Sequence, residues 1–243
     1  MGFKCHSELE VRRQIMSKIT AIVLAAGSGS RMQSETKKQY MEINGKPVVW
    51  YSLNAFENSR VDEVILVVPE GEREYAQAEF VDKYGFKKVA MVITGGAHRY
   101  DSVYHGLEHT TGEYVLIHDA ARPMITNEII ERCIDGAVEY KACVAGMPVK
   151  DTIKEVDETK TVINTPARDT LYITQTPQAF DYNLVHESYI KMFSKGNPEV
   201  TDDAMVVEQF GHTKVKFVEG SYDNIKITTP EDVEVAKTLL TLK

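Results

Sequence analysis

Apolar, β-branched runs recur along this 243-residue chain at the spacing a parallel sheet requires. They are Ile19–Leu24, Glu63–Val68, Lys88–Ile93, Tyr114–Ile117, Ala142–Met147 and Val215–Val218. Amphipathic stretches lie between most of them. Pro47–Phe56 puts Val49, Leu53 and Phe56 on one helical face, and Asn127–Val138 does the same with Ile130, Ile134 and Ala137. Strands that alternate with such helices form βαβ units, which predicts an α/β fold with a mainly parallel sheet and helices on both faces. Near the C-terminus, Thr229-Pro230-Glu231-Asp232 predicts a helix start, with Thr229 as N-cap, Pro230 in the first helical position and acids in the first turn. Val233, Ala236 and Leu240 would then face the core.

The rhythm breaks between about residues 148 and 170. That stretch is polar, with threonine-rich alternation over 151–165 and Pro166 near its end. Read locally, it is a β-hairpin that leaves the main sheet.

The first apolar run ends abruptly in Ala25-Ala26-Gly27-Ser28-Gly29-Ser30-Arg31-Met32, with Lys37-Lys38-Gln39 close behind. A glycine has no Cβ to hold a ligand off, and free backbone N–H groups can cradle phosphate oxygens. The P-loop spacing is absent, and the dinucleotide fingerprint is matched only weakly, because its third glycine is missing. A plain strand-to-helix turn would also use such glycines. The two cations, Arg31 and Lys38, favour a nucleotide site over that turn.

Bulk properties narrow the field. A net charge of −8 disfavours wholesale nucleic-acid binding, so phosphate must be met by local cations. No apolar run approaches the roughly 20 residues of a membrane helix, and the residues up to about Lys18 read as a polar, flexible or helical extension rather than a secretory signal. Cys5, Cys133 and Cys143 have no metal-ligand spacing, which suits reduced thiols and a cytoplasmic protein, with Cys133 and Cys143 as small buried hydrophobes.

Further blocks follow in order. They are Gly95-Gly96 with Arg99 and Asp101-Ser102-Val103; His118-Asp119-Ala120-Ala121-Arg122-Pro123; Pro148-Val149-Lys150-Asp151-Thr152-Ile153-Lys154; Gln175-Thr176-Pro177-Gln178-Ala179-Phe180; Thr201-Asp202-Asp203-Ala204; and Glu219-Gly220-Ser221-Tyr222-Asp223-Asn224-Ile225-Lys226. With the glycine loop they resemble the polyol-phosphate cytidylyltransferases, and among these the 2-C-methyl-D-erythritol 4-phosphate enzymes of non-mevalonate isoprenoid biosynthesis. The resemblance runs from about residue 19 onward. It implies a Rossmann-like nucleotidyltransferase domain over 19–243. It further implies that the polar excursion is a β-arm that crosses to a second subunit in a homodimer and completes the partner's site.

The implied reaction joins CTP to a polyol phosphate with release of pyrophosphate and needs no covalent nucleophile; no Ser-His-Asp or Cys-His set stands out. By resemblance, Arg31, Lys38 and Lys226 are the catalytic cations. Ala25, Ala26, Gly27, Gly95, Gly96 and Ser102 form the nucleotide pocket. Arg122, Thr152, Arg168, Thr201 and Lys226 bind the acceptor, and Asp119 with Asp223 serves Mg²⁺. His118, beside Asp119 on an extended segment, would point to the opposite side and is given no role. The chain departs from the family pattern at Ala97-His98, where acidic residues are common. A ribitol-5-phosphate-type cytidylyltransferase, a catalytically silent nucleotide-binding protein and an NAD-dependent oxidoreductase remain as rival readings. The His118–Pro123 and Thr201–Ala204 blocks favour the methylerythritol enzymes.

Overall fold

Residues 17–27, 38–196 and 199–241 are described by a computed structural model, Lys38 by its backbone alone. The expected extension before residue 17, with Cys5, lies outside the described residues, as does the loop from 28 to 37. The strands are β1 (Ile19–Leu24), a short pair β2 (Glu42–Ile43) and β3 (Lys46–Pro47), β4 (Glu63–Val68), β5 (Val89–Thr94), β6 (Tyr114–Asp119), β7 (Ala142–Pro148), β8 (Glu155–Val156), β9 (Val162–Asn164), β10 (Tyr172–Asp181) and β11 (Lys216–Glu219). The helices are α1 (Val48–Glu57), α2 (Arg73–Ala76), α3 (Arg99–His109), α4 (Asn127–Tyr140), α5 (Tyr182–Ser194), α6 (Asp203–Phe210) and α7 (Pro230–Thr241).

The main sheet has seven strands in the order β11-β7-β10-β6-β1-β4-β5. All pairings are parallel except those of β10, which runs antiparallel to both β6 and β7. Side chains alternate across it with period two. In β1 and β4, Ala21, Val23, Leu66 and Val68 face a core packed under α1 and α4. Ile22, Ile65 and Val67 face the opposite core, under α3, α5 and α6. Both faces are therefore helix-covered, as a mainly parallel sheet demands. A third, smaller core joins Ile43 and Val48 to Ile227, Val233 and Ala236 of the C-terminal segment, with Leu240 packed against it.

Several expected boundaries shift. The strand expected to stop at Ile117 continues through His118 and Asp119, so Asp119 ends the strand rather than following it. The start of α7 is secured by Asp232, whose carboxylate accepts from the backbone N–H groups of Thr228 and Thr229 at 2.8 and 2.9 Å. Cys133 and Cys143 are buried free thiols. The excursion is a two-stranded hairpin, β8 against β9, and every residue from 151 to 165 is exposed.

Candidate active site

The carboxyl ends of β1 and β6 meet at the point where the chain changes direction across the sheet, the usual place for a ligand in an open α/β fold. Three backbone links close the walls there. Ala25 N–H donates to Val67 O at 2.7 Å, Gly95 N–H to Val68 O at 2.8 Å, and Ala120 N–H to Leu24 O at 3.0 Å. Gln39 is buried, and its amide nitrogen donates to Ala25 O at 2.6 Å and Gly27 O at 3.2 Å, which holds the start of the glycine loop. Between these walls lies a cleft of about 340 Å³ lined by residues 24–27, Gln39, residues 96–99, Ser102, Asp119, Ala121 and Lys226.

The two glycine positions of the second wall differ in role. Gly96 faces the cleft, but Gly95, expected in the nucleotide pocket, does not line it. It sits behind the wall, where a Cβ would lie 2.6 Å from both Ala26 Cβ and Ser102 Oγ. At Gly27 a Cβ would meet nothing within 4 Å, so no packing among the described residues requires glycine there. Ser102 lines the cleft, yet its hydroxyl is engaged with the loop, accepting from Gly96 N–H at 3.1 Å and donating to His98 O at 3.2 Å. Ala97 and His98 both face the cleft. The His98 backbone N–H donates to Asp101 Oδ2 at 2.9 Å, and its ring stacks on Tyr100 with centroids 4.9 Å apart.

Charge concentrates at Asp119. Lys226 Nζ stands 2.6 Å from its Oδ2, and Arg99 Nε lies 3.2 Å from its Oδ1. Burial alone would push the carboxyl pKa up, but the Arg99 and Lys226 cations beside it hold it well below the usual carboxylate range. His118, one residue earlier, points to the other face, as the alternation of a strand requires. Its Nδ1 lies 3.0 Å from Thr176 Oγ1, its Nε2 3.3 Å from Ser52 Oγ, and its ring meets the Phe56 ring edge-on. Burial lowers its pKa to about 4, so it is neutral near pH 7.

Lys226 is placed by two sequence blocks that clamp each other. Asn224 is fully buried, and its Nδ2 donates to Thr176 O at 3.0 Å, while Gln175 Nε2 donates to Ser221 O at 2.6 Å. Ile227 N–H then donates to Ala121 O at 2.8 Å. Arg122 lies beside this junction and donates from Nη1 to Asn224 O at 2.7 Å, and its buried Nε has no partner among the described residues.

The structure therefore gathers Ala25, Ala26, Gly27, Gly96, Ser102, Asp119 and Lys226 around one cleft. It does not bring the other expected residues into the lining. Thr152 and Arg168 stand on the exposed excursion and its base, where Arg168 Nη1 donates to Lys150 O at 3.0 Å. Thr201 is exposed, with its hydroxyl 3.5 Å from Met205 Sδ. Asp223 belongs to the turn before Lys226, its N–H donating to Ser221 Oγ at 3.1 Å. Arg31 lies outside the described residues, and the side chain of Lys38 is not described. The sequence alone assigns no role to Arg99, Asp203, Gln39 or Asn224. Their significance comes from contacts across the chain; Arg99 and Asp203 are 104 residues apart.

Among the described residues no three His, Cys, Asp or Glu side chains converge as a metal cage. A single ionised carboxylate at the cleft still fits Mg²⁺, which keeps several waters and is held by one or two carboxylates together with substrate phosphates.

The sequence profile of the 2-C-methyl-D-erythritol 4-phosphate cytidylyltransferase (IspD) family matches residues 19–242. A curated 2-C-methyl-D-erythritol 4-phosphate cytidylyltransferase from Lachnospira eligens is 51% identical over 220 residues, spanning 89% of this chain and 96% of the relative. Its counterpart from Lachnoclostridium phytofermentans is 46% identical, spanning 93% and 97%. Among solved structures, 4-diphosphocytidyl-2C-methyl-D-erythritol synthase from Anaerococcus prevotii superposes with a TM-score of 0.81 at 35% identity, covering 93% of this chain and 96% of that one.

Proposed function

The chain belongs to the 2-C-methyl-D-erythritol 4-phosphate cytidylyltransferase family, and from that premise we propose how its cleft carries out the transfer. It is a nucleotidyltransferase that couples CTP to 2-C-methyl-D-erythritol 4-phosphate in non-mevalonate isoprenoid biosynthesis. A phosphate oxygen of the acceptor attacks the α-phosphorus of CTP, and pyrophosphate leaves. The acceptor is already ionised, so the protein supplies position and charge rather than a nucleophile.

CTP lies with its base against Ala25, Ala26, Gly27, Gly96 and Ser102, where the small residues leave room for a pyrimidine and expose backbone groups to its edge. Gly95 acts by letting Ala26 and Ser102 close against it. Lys226, Arg31 and Lys38 meet the negative charge that builds on the transferring phosphoryl group and on pyrophosphate. Each fixed donor of this kind contributes about 3–4 kcal/mol, or 10²–10³-fold in rate. Asp119 holds Mg²⁺, which would neutralise the triphosphate. Asp223 acts at one remove, by shaping the turn that presents Lys226. Arg122 sits within this charge cluster and, with Thr201, binds the acceptor.

Thr152 and Arg168 stand outside the cleft of their own chain, which supports a homodimer in which the excursion completes the partner's site. The exposed Ile153, Val156, Val162 and Ile163 on that excursion, and Tyr172 and Ile173 at its root, give such an interface apolar surface. No described helix is long and apolar enough to cross a membrane.

One observation carries the assignment of the cleft: the Lys226 ammonium and the Asp119 carboxylate meet at 2.6 Å between the two small-residue walls. Lys226→Ala is expected to lower kcat by about 10²-fold while the folded protein persists by circular dichroism. A kcat within about 3-fold of the parent would remove Lys226 from the chemistry.

A further inference from the structure

Arg99 opens helix α3, where the unpaired N–H groups already concentrate positive charge. A cation is poorly placed there for the helix, so the reason for its position lies in what it holds. Its Nη1 and Nη2 donate to the two oxygens of Asp203, both at 2.8 Å, and its Nε donates to Asp119 Oδ1 at 3.2 Å. Asp203 is fully buried at the start of α6 and accepts a further bond from the Tyr189 hydroxyl at 2.6 Å.

A buried ion pair of this kind adds little net stability, because desolvation offsets the attraction. What it does supply is geometry. A bidentate carboxylate fixes the plane of a guanidinium, which an ammonium could not reproduce. With the plane fixed, the Nε–H has one direction, and that direction ends on Asp119 Oδ1. Oδ2 meets Lys226 instead, a rotatable ammonium on a flexible four-carbon stem.

We propose that Arg99, locked by Asp203, is a positioning residue: it clamps one oxygen of Asp119 and turns the other toward the cleft as the oxygen available to a divalent cation. The inference rests on the reading of Asp119 as the cation ligand. The same pair ties the segment that carries Thr201 to Asp119, so the acceptor side and the cation side of the cleft share one rigid link.

The test is the CTP dissociation constant, measured by calorimetry with the full chain in Mg²⁺ and in EDTA. The proteins compared are the parent, Arg99→Lys, Asp203→Asn and Asp119→Asn. The parent is expected to bind CTP more tightly with Mg²⁺, and Asp119→Asn to lose that enhancement. Arg99→Lys and Asp203→Asn should each cut it by about 10-fold or more, the usual scale for partners that orient a metal ligand. Their affinity in EDTA should stay within about 3-fold of the parent. Should both variants fail to fold, Tyr189→Phe removes only one donor to Asp203 and should reduce the enhancement by about 2–5-fold.

No enhancement in the parent, or full enhancement in Asp119→Asn, overturns the reading of Asp119 and the inference with it. Enhancement lost in Asp119→Asn but kept in the folded Arg99 and Asp203 variants, or in Tyr189→Phe if those do not fold, overturns the role of Arg99 alone. Equal weakening with and without Mg²⁺ also overturns it, and would make Arg99 an ordinary nucleotide contact.

Discussion

His118 and Asp119 are neighbours on one strand with opposite fates. Asp119 reaches the cleft and stays charged because cations surround it; His118 turns into the other core and stays neutral because burial disfavours the imidazolium. The consequence for stability has a definite sign. An unfolded histidine takes up its proton near pH 6.5, whereas the folded chain excludes it until about pH 4. Unfolding therefore absorbs a proton between those values, and stability falls as pH drops through that window. Between pH 7 and pH 5 the loss from this one group is about 2 kcal/mol. Urea unfolding at the two pH values should show that loss in the parent, and His118→Asn should lack most of it. An identical pH dependence in both proteins would mean that other groups govern acid sensitivity. The parity of a strand made the opposed directions of His118 and Asp119 legible in the sequence. The Arg99–Asp203–Tyr189 cluster was not, because nothing local marks residues that meet only after three helices have packed.

At the scale of elements, the strands that alternate cleanly could be read directly. β1 and β4 are apolar because helices cover both faces. β10 gave no such signal. Gln175, Thr176, Pro177 and Gln178 show no apolar strand pattern, yet they are the middle of a strand between β6 and β7. The register with β7 shifts between Thr174 and Gln178, and the polar side chains are spent on structure. Gln178 accepts from Ala204 N–H at 2.9 Å and donates to Asp202 at 3.0 Å, and Gln175 holds the turn before Lys226. A polar strand is stable here because each of these groups finds a partner. The glycine pair before α3 is a second case. Its pattern was legible, but which glycine faces the cleft depended on how α3 packs. Gly95→Ala would drive a methyl group into Ala26 and Ser102. Overpacking of about 1–3 kcal/mol at that wall should raise KM for CTP by about 10-fold, with KM for the acceptor little changed. An effect on the acceptor alone would place the nucleotide elsewhere.

For the molecule as a whole, the prediction concerns which cleft the excursion serves. If Arg168 acts in the partner's site, Arg168→Ala and Lys226→Ala homodimers each lack one half of every site. A mixed dimer then holds one doubly impaired site and one intact site. An equal random mixture in which subunits exchange freely and sites act independently should recover about a quarter of parental activity. No recovery, with mixed dimers demonstrated by mass, would place Arg168 in its own chain's site or outside catalysis. Local alternation made the hairpin readable, but a contact with a second copy has no signature in one chain's periodicity. The central claim, that this cleft joins a cytidylyl group to a branched four-carbon polyol phosphate, is tested most directly by pyrophosphate release from CTP and Mg²⁺ with a panel of acceptors. The account predicts rapid release with 2-C-methyl-D-erythritol 4-phosphate and release slower by about 10²-fold or more in kcat/KM with ribitol 5-phosphate. Comparable or faster turnover of ribitol 5-phosphate, or no release with either acceptor, would contradict it.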